Sequence, residues 1–185
     1  MKATGIVRRI DELGRVVIPK EIRRTLRIRE GDPLEIFTDR DGEVILKKYS
    51  PIGEMGEFAR QFAESLHRTV GHIACITDRD AIIAVAGGSR KDFMDRPISP
   101  QIESVMSERR GLQISNQSSG QPIPITSDDE NGSEYTCQTI VPIVAEGEPI
   151  GSVILVDKEP DATMAETEMK VCQTAASFIG KQMEQ

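Results

Sequence analysis

The sequence predicts two domains: a small β-rich domain with one short helix, followed by an α+β domain in which helices pack on an antiparallel sheet. The first observation is length, because 185 residues with 38% hydrophobic side chains fit two small globular cores. The second is charge: residues 1–50 carry 12 Lys and Arg against 9 Asp and Glu, whereas residues 51–185 carry 11 against 21. The third is periodicity, since β-prone runs dominate the first part and amphipathic helices begin and end the second. We expect domains at 1–50 and 56–185, joined by a linker at 51–55.

The first domain is predicted to contain four short strands and one helix. The strands fall at residues 6–10, 16–18, 34–38 and 44–48. Pro19 suits the first turn of the helix, in which Ile22 and Leu26, four residues apart, would form a narrow buried stripe. Polar turns at 11–14 and 39–42 separate the strands of each pair. Fifty residues without a disulfide or a metal make a poor independent core, so we expect an obligate homodimer.

The second domain is predicted to follow the order helix, two strands, helix, loop, two strands, helix. The strands fall at residues 72–78, 81–86, 136–145 and 150–157, and a loop rich in Ser, Gly, Pro and Asp at 115–134. The middle helix should begin at Ser99, the N-cap before Pro100, and stop at Gly111. The last helix should begin at Thr163, which would form a capping box with Glu166. This order predicts an antiparallel sheet with helices packed on it.

Apolar residues repeat at spacings of 4 and 3 along the first and last helices of the second domain. These seams comprise Met55, Ala59, Phe62 and Leu66 in the first helix, and Met169, Cys172, Ala176, Ile179 and Met183 in the last. They could pack on each other or on copies from another chain, because both arrangements bury the same residues. We expect them to form an oligomer interface that takes the dimer to a homotetramer.

Five arginines crowd into residues 8–26: Arg8, Arg9, Arg15, Arg23 and Arg24. Any one of them could simply lie on a solvated face. However, residues 2–29 hold nine Lys and Arg against three acids, so the positive charge is not neutralised locally. The flat guanidinium fork also suits bidentate contacts to phosphates and guanine edges. A basic first domain on an acidic chain predicts that only this domain meets a polyanion.

The stretch TGIVRRIDELGRVVIPKEIRRTLRI, with GDPLEIF shortly after it, resembles the N-terminal DNA-binding domain of the AbrB family of bacterial transition-state regulators. LGRVVIPKEIRRTL carries the turn glycine, the strand, the proline and the arginine pair of that family. The resemblance implies two chains interleaved as a swapped-hairpin barrel on double-stranded promoter DNA. The DNA contacts it implies are Arg8, Arg15, Arg23 and Arg24, with Arg9 and Lys2 as phosphate neighbours.

With its acidic second domain, the chain resembles the sporulation regulators of this family. That resemblance implies a transcriptional activator and repressor of late genes, working in the cytoplasm of the forespore. It also implies that the second domain is similar to a GAF domain, and the predicted order of strands and helices agrees with this.

GAF domains commonly hold small molecules in a pocket over the sheet. Candidate lining residues are Cys75, Ile83, Val85, Phe93 and Met94, with Ile102 and Val141. All of them are also ordinary core residues, and no residue pattern typical of cyclic-nucleotide GAF domains is visible. The ligand, if there is one, is therefore left unknown.

The titratable residues predict neither catalysis nor a metal site. His67 and His72 have no Cys, Asp or Glu around them at metal spacing. The run Asp128-Asp129-Glu130 could chelate a cation, but three acids in a Gly/Ser loop are usually solvated. The three cysteines lie far apart beside apolar residues, which favours buried reduced thiols. We expect no enzyme activity, no cofactor, no metal and no membrane span.

Two functions other than DNA-binding regulation also fit parts of this sequence. One is an antitoxin-like or scaffolding protein whose barrel mainly holds another protein, with DNA binding used for autoregulation. The other is a sensor in which a small molecule is the main input.

Overall fold

The structure, a computed structural model, describes residues 5–54, 56–115, 120–129, 132 and 134–184. The chain divides into two compact units, Met1–Tyr49 and Ser50–Gln185. Among the described residues, no helix combines the length and the apolar character needed to cross a membrane.

Over residues 5–49 the first unit contains one short helix and one hairpin. Helix α1 spans Lys20–Thr25, and strands β1 (Leu34–Thr38) and β2 (Val44–Lys48) pair antiparallel. The turn is set by Asp39, whose Oδ1 accepts the amides of Asp41 (3.0 Å) and Glu43 (2.9 Å), and by Gly42 with φ +82°. The predicted strands at 34–38 and 44–48 are confirmed.

Two expectations for the first unit are wrong for the single chain. Residues 6–10 and 16–18 form no strand, and Val7 and Val17 are 87% and 72% exposed. A strand needs a neighbour to pair its backbone groups, and the described part of the single chain places no strand beside residues 7–10 and 16–18. The stripe on α1 is not buried either, because Leu26 is 56% exposed.

The second unit is an α+β domain, as predicted. Its helices are α2 (Pro51–Glu54), α3 (Gly56–Val70), α4 (Arg90–Phe93), α5 (Pro100–Glu108) and α6 (Glu166–Gln182). Its strands are β3 (Ile73–Thr77), β4 (Ile82–Ala86), β5 (Leu112–Ile114), β6 (Cys137–Ala145) and β7 (Glu148–Asp157). They form one antiparallel sheet in the order β4-β3-β7-β6-β5.

The two faces of this sheet carry separate apolar cores. Helices α3 and α6 pack on one face, and α4, α5 and the segment 120–129 cover the other. On the first face small residues let the helices approach the sheet: a Cβ added to Gly180 of α6 would lie 2.2 Å from the carbonyl oxygen of Val144. This helix–strand crossing therefore requires glycine.

The expected linker at 51–55 has a different form. Residues 51–54 make the helical turn α2, and Ile52 is only 1% exposed because it packs into the core beneath α3. The Oγ of Ser50 accepts the amide of Gly53 (3.0 Å) at the start of this turn. Met55 lies outside the described residues.

The predicted helix ends are correct in one case and wrong in two. Ser99 caps α5, since its Oγ accepts the amide of Ile102 (3.2 Å), but the helix ends at Arg109, with φ +53°, and not at Gly111. Helix α6 begins at Glu166 and not at Thr163, because Glu168, through Oε2, accepts the amide of Ala165 (2.6 Å).

Candidate nucleic-acid interface

The turn at residues 11–15 fixes Arg15 through Asp11. Asp11 Oδ1 accepts the amides of Leu13 (3.0 Å) and Arg15 (2.8 Å), and Asp11 Oδ2 accepts Nε–H of the Arg15 guanidinium (2.8 Å). Gly14, with φ +75°, lets the chain reverse. These hydrogen bonds, that from the Arg15 amide first, lower the pKa of Asp11. The Arg15 side chain remains 69% exposed.

Arg23 and Arg24 lie in the last turn of α1, where cations favour the negative end of the helix dipole. The chain leaves the helix at Arg27, with φ +53°, and the Ile28 amide donates to the carbonyl oxygen of Arg23 (2.7 Å). Lys48 of β2 donates from Nζ to the carbonyl oxygen of Arg27 (2.8 Å). The end of the helix is thereby held against the hairpin.

Arg8 and Arg9 are exposed on the segment that precedes the turn, and Lys2 lies outside the described residues. We call Arg8, Arg15, Arg23 and Arg24 the arginine set. Within residues 5–49, Arg15 pairs with Asp11, whereas the other members of the set and Arg9 form no ion pair. Their positive charge is therefore available to an anionic partner.

The same unit leaves a large apolar surface uncovered. Of the thirteen large hydrophobic side chains that are exposed among the described residues, twelve lie in residues 6–49. They include Val7 (87%), Leu13 (74%), Val17 (72%), Ile36 (67%) and Val44 (67%). So much apolar area on about 50 residues is typical of an interface with another chain.

Apart from Phe93, the candidate pocket residues of the second unit line no cavity described for this chain. Cys75, Val85 and Phe93 are buried in the core between the sheet and α5, and Met94 packs against that core half-buried. Ile83 lies on the other face of the sheet, against the core beneath α3 and α6. The space over the sheet is filled by side chains.

A cavity of about 320 Å³ lies instead between α4 and residues 126–129 and 134–135. Its lining includes Phe93, Arg96, Asp129, Tyr135 and Lys158. The sequence predicted only a long loop here and so missed this site, because part of that loop is an ordered cover over the sheet.

Asp129 and Gln138 hold that cover in place. Asp129 Oδ2 accepts the amides of Ile125 and Thr126 (both 2.9 Å) and the Tyr135 hydroxyl (3.1 Å). The buried amide of Gln138 bonds both the amide (2.8 Å) and the carbonyl (3.0 Å) of Ile123. Asp129 thus has a structural role. Glu130 lies outside the described residues.

The histidines and cysteines have ordinary structural surroundings. His67 Nδ1 lies 2.8 Å from the carbonyl oxygen of His72, and His72 Nδ1 lies 2.7 Å from Asp157 Oδ2. Burial raises the pKa of all three thiols, that of Cys172 to about 12. Among the described residues, no group of three or more His, Cys, Asp or Glu is arranged to hold a metal ion.

Most seam residues are core residues of their own chain. Ala59, Leu66, Cys172, Ala176 and Ile179 are at most 5% exposed because they face the sheet. Phe62, Met169 and Met183 are half-buried. These burials correct the expectation that the seams as a whole are free to meet another chain.

An aromatic cluster is the exposed part of this helical face. Phe178 is 45% exposed, and its ring centroid lies 5.6 Å from that of Phe62 and 6.2 Å from that of Phe58. A groove of about 340 Å³, with Phe62, Val171 and Ala175 among its lining residues, runs between α3 and α6.

An arginine-rich hairpin unit with uncovered apolar surface, followed by a five-stranded α+β domain with helices on both faces, defines the chain as a transcription regulator with an AbrB-like domain and a GAF-like domain. A family model described as the C-terminal region of stage V sporulation protein T, transcription factor, matches residues 54–184. A second model, described as antidote-toxin recognition MazE, bacterial antitoxin, matches residues 7–54. The chain belongs to the stage V sporulation protein T family and is a sporulation transcription factor, not an enzyme.

Individual relatives agree with this assignment. The chain is 57% identical over 185 residues, 100% of both chains, to stage V sporulation protein T of Bacillus subtilis (strain 168). It is 69% identical over 51 residues, 28% of this chain and 52% of the relative, to the transition state regulatory protein AbrB of the same organism. The GAF domain of an Acinetobacter phosphoenolpyruvate-protein phosphotransferase matches with a TM-score of 0.57 at 12% identity, over 74% of this chain and 84% of that one. The last match shows the fold alone.

Proposed function

We propose that the chain binds promoter DNA as a homodimer in which the arginine set of both copies contacts the duplex. Arg9 and Lys2 act as phosphate neighbours. The observation that carries the proposal is the largely unpaired arginine set, exposed except for the half-buried Arg23, on a unit whose apolar surface is uncovered. Its sequence is similar to that of AbrB in this region. Through these contacts the protein activates and represses late sporulation genes in the forespore.

The dimer forms by exchange of hairpins between two copies of the first unit. Residues 7–10 and 16–18 belong to no strand in the described part of one chain, and the same segments of a second copy supply strand partners. The exchange also covers apolar side chains such as Val7 and Val17. Val17→Asp should therefore abolish DNA binding although every arginine is retained.

Fluorescence anisotropy with a labelled promoter duplex tests the arginine set. Arg23→Ala and Arg24→Ala should each abolish binding near physiological salt while the dimer remains folded by circular dichroism and sedimentation. Arg40→Ala is the matched control, because Arg40 is an exposed cation of the same unit outside the set. Equal loss with Arg40→Ala, or binding unaffected by both set variants, contradicts the proposal.

The dimer assembles further into a tetramer through the aromatic cluster of Phe58, Phe62 and Phe178. These rings and the groove beside them form an apolar face on α3 and α6 that suits another copy of the same helices. Phe178→Glu should sediment as a dimer, whereas Ser177→Glu, which adds the same charge at the next exposed position, should remain a tetramer. A Phe178→Glu tetramer would contradict this interface.

A second candidate function, small-molecule sensing, is favoured by the cavity beside α4. Asp129 Oδ2 accepts three hydrogen bonds, and Asp129 Oδ1 accepts none from the part of the chain described. Lys158 Nζ lies 5.5 Å from the ring centroid of Tyr135. Burial, followed by the charge of Asp129, raises the pKa of Tyr135, so its phenol stays a neutral donor. A fixed carboxylate beside an aromatic face suits a small ammonium compound.

Thermal shift of the full chain against amines and amino acids tests this second function. A ligand at 100 times its Kd should stabilise the chain by about 2.7 kcal/mol. Asp92→Asn removes a carboxylate from the same cavity without breaking a hydrogen bond of the cover, so it should weaken ammonium binding and leave unliganded stability unchanged. No shift with any amine contradicts sensing of this class.

A further inference from the structure

Asp11 is an acidic residue in the middle of the arginine-bearing segment, where simple electrostatics would oppose DNA binding. A carboxylate near phosphate groups repels them, so its removal should strengthen binding. Three hydrogen bonds tie this carboxylate to the turn and to Arg15. Asp11 can therefore strengthen DNA binding, although its charge alone would weaken it.

The Nε edge of the Arg15 guanidinium binds Asp11, and its two terminal nitrogens point to a different use. Nε–H donates to Asp11 Oδ2 (2.8 Å), and the two terminal nitrogens donate to nothing in the described part of the chain. A guanidinium held by its Nε edge keeps its two-pronged end free for bidentate contact with a phosphate or a guanine. Without the anchor, the exposed side chain would lose rotamer freedom on binding DNA, which lowers affinity.

The backbone of the turn is fixed by the same side chain. Asp11 Oδ1 accepts the amides of Leu13 and Arg15, and the Asp11 amide donates to the carbonyl oxygen of Arg15 (3.0 Å). The exposed ion pair alone would position Arg15 weakly, since such pairs are screened by water. The pair acts together with the Asx turn, which places the Cα of Arg15 before its side chain is oriented.

We propose that Asp11 is a positioning residue for DNA binding: it presents the free end of the Arg15 guanidinium to the duplex. The proposal rests on the proposed function of the arginine set. It concerns only how one member of the set is held.

Asp11→Asn is the informative variant. An asparagine oxygen can still accept the two turn amides, but the neutral side chain no longer holds the guanidinium as an ion pair. Affinity for a promoter duplex should fall about tenfold, although a negative charge has been removed; one good bidentate contact discriminates by roughly 5- to 150-fold. Glu12→Gln is the matched control, because it removes the same charge from the exposed neighbour; its affinity should stay equal or rise.

A double-mutant cycle separates positioning from damage to the fold. In an Arg15→Ala background, Asp11→Asn should no longer weaken binding and should strengthen it slightly, because only the repulsion is left to remove. If Asp11→Asn weakens binding equally in both backgrounds, it acts on the turn and the proposal is wrong. Stronger binding by Asp11→Asn alone also overturns it.

The cycle also distinguishes this proposal from the function on which it rests. If Arg15→Ala binds DNA as the parent does, Arg15 is not a contact and the arginine set itself is wrong at that position. If Arg15→Ala weakens binding while Asp11→Asn does not, the arginine set stands and Asp11 has no positioning role.

Discussion

The salt dependence of DNA binding measures how many members of the arginine set reach phosphates. Four arginines in each of two chains neutralise eight phosphates if all of them contact the backbone. With a slope of about −0.9 per phosphate, log K should fall with log[salt] at about −7, an affinity loss of about 10⁴-fold between 50 and 200 mM salt. A protein that met DNA mainly through neutral side chains would show a slope near zero.

Arg8→Gln is the perturbation that tests this number. Arg8 is exposed and forms no ion pair in the described part of the chain, so its removal should leave stability unchanged. Each dimer loses two contacts, and the slope should change from about −7 to about −5.4. The affinity loss between 50 and 200 mM salt then becomes about 10³-fold.

The assay is fluorescence anisotropy of a labelled promoter duplex at four or more KCl concentrations from 50 to 200 mM. Arg40→Ala serves as the control and should keep the parent slope. An Arg8→Gln slope equal to that of the parent would refute Arg8 as a phosphate contact. A parent slope shallower than about −3 would refute the eight-contact surface as a whole.

Three further predictions concern the second unit. Gln138→Leu removes the hydrogen-bond partner of the amide and the carbonyl of Ile123, so it should lower the free energy of unfolding of this unit in urea by about 2–4 kcal/mol. Gln101→Leu, at an exposed position, is the control and should lower it by less than about 0.5 kcal/mol. Burial by itself would raise the pKa of Asp157, but hydrogen bonds from the Glu159 amide and His72 together have a larger opposite effect, so the net pKa lies below the usual 3.8. The stability that this lowered pKa contributes is present above pH 3.8 and is lost as the pH falls below it. Asp157→Asn should therefore flatten the dependence of Tm on pH in that range. The three cysteines, buried with raised thiol pKa values, should react with a thiol reagent at pH 8 only after unfolding, and rapid labelling of the native chain would contradict their burial.

Features decided by neighbouring residues were the ones that the sequence predicted well. The hairpin at 34–48 follows from β-prone runs around a Gly-containing turn, and Ser99 was a correct N-cap because Ser before Pro is a local signal. By contrast, α4 and β5 have four and three residues, too few for any periodicity to appear. In the proposed dimer, strands at 6–10 and 16–18 form only against another chain, and no local pattern in one chain can show that dependence.

The site was predictable as a set of charges but not as a geometry. A count of residues 2–29 already separated the arginine set from the acidic remainder. The same count placed Asp11 among the charges that oppose DNA binding. Counting cannot show that Asp11 Oδ2 holds the Arg15 guanidinium while Asp11 Oδ1 holds the turn. The segment at 115–134 was predicted only as a long loop for a similar reason: Ile125 and Thr126 are buried by contacts from distant residues.

The two units differ in where their apolar surface goes, and on the proposed function this difference couples DNA binding to assembly. The second unit buries two cores within one chain, so it can fold before it meets a copy. The first unit leaves most of its large apolar side chains exposed and must find a copy before its DNA surface exists. When second units associate through the aromatic cluster, they raise the effective concentration at which first units meet each other. The assembly then presents more than one DNA-binding surface. On the same proposal, a ligand in the cavity beside α4 would alter DNA binding by favouring one assembly over another.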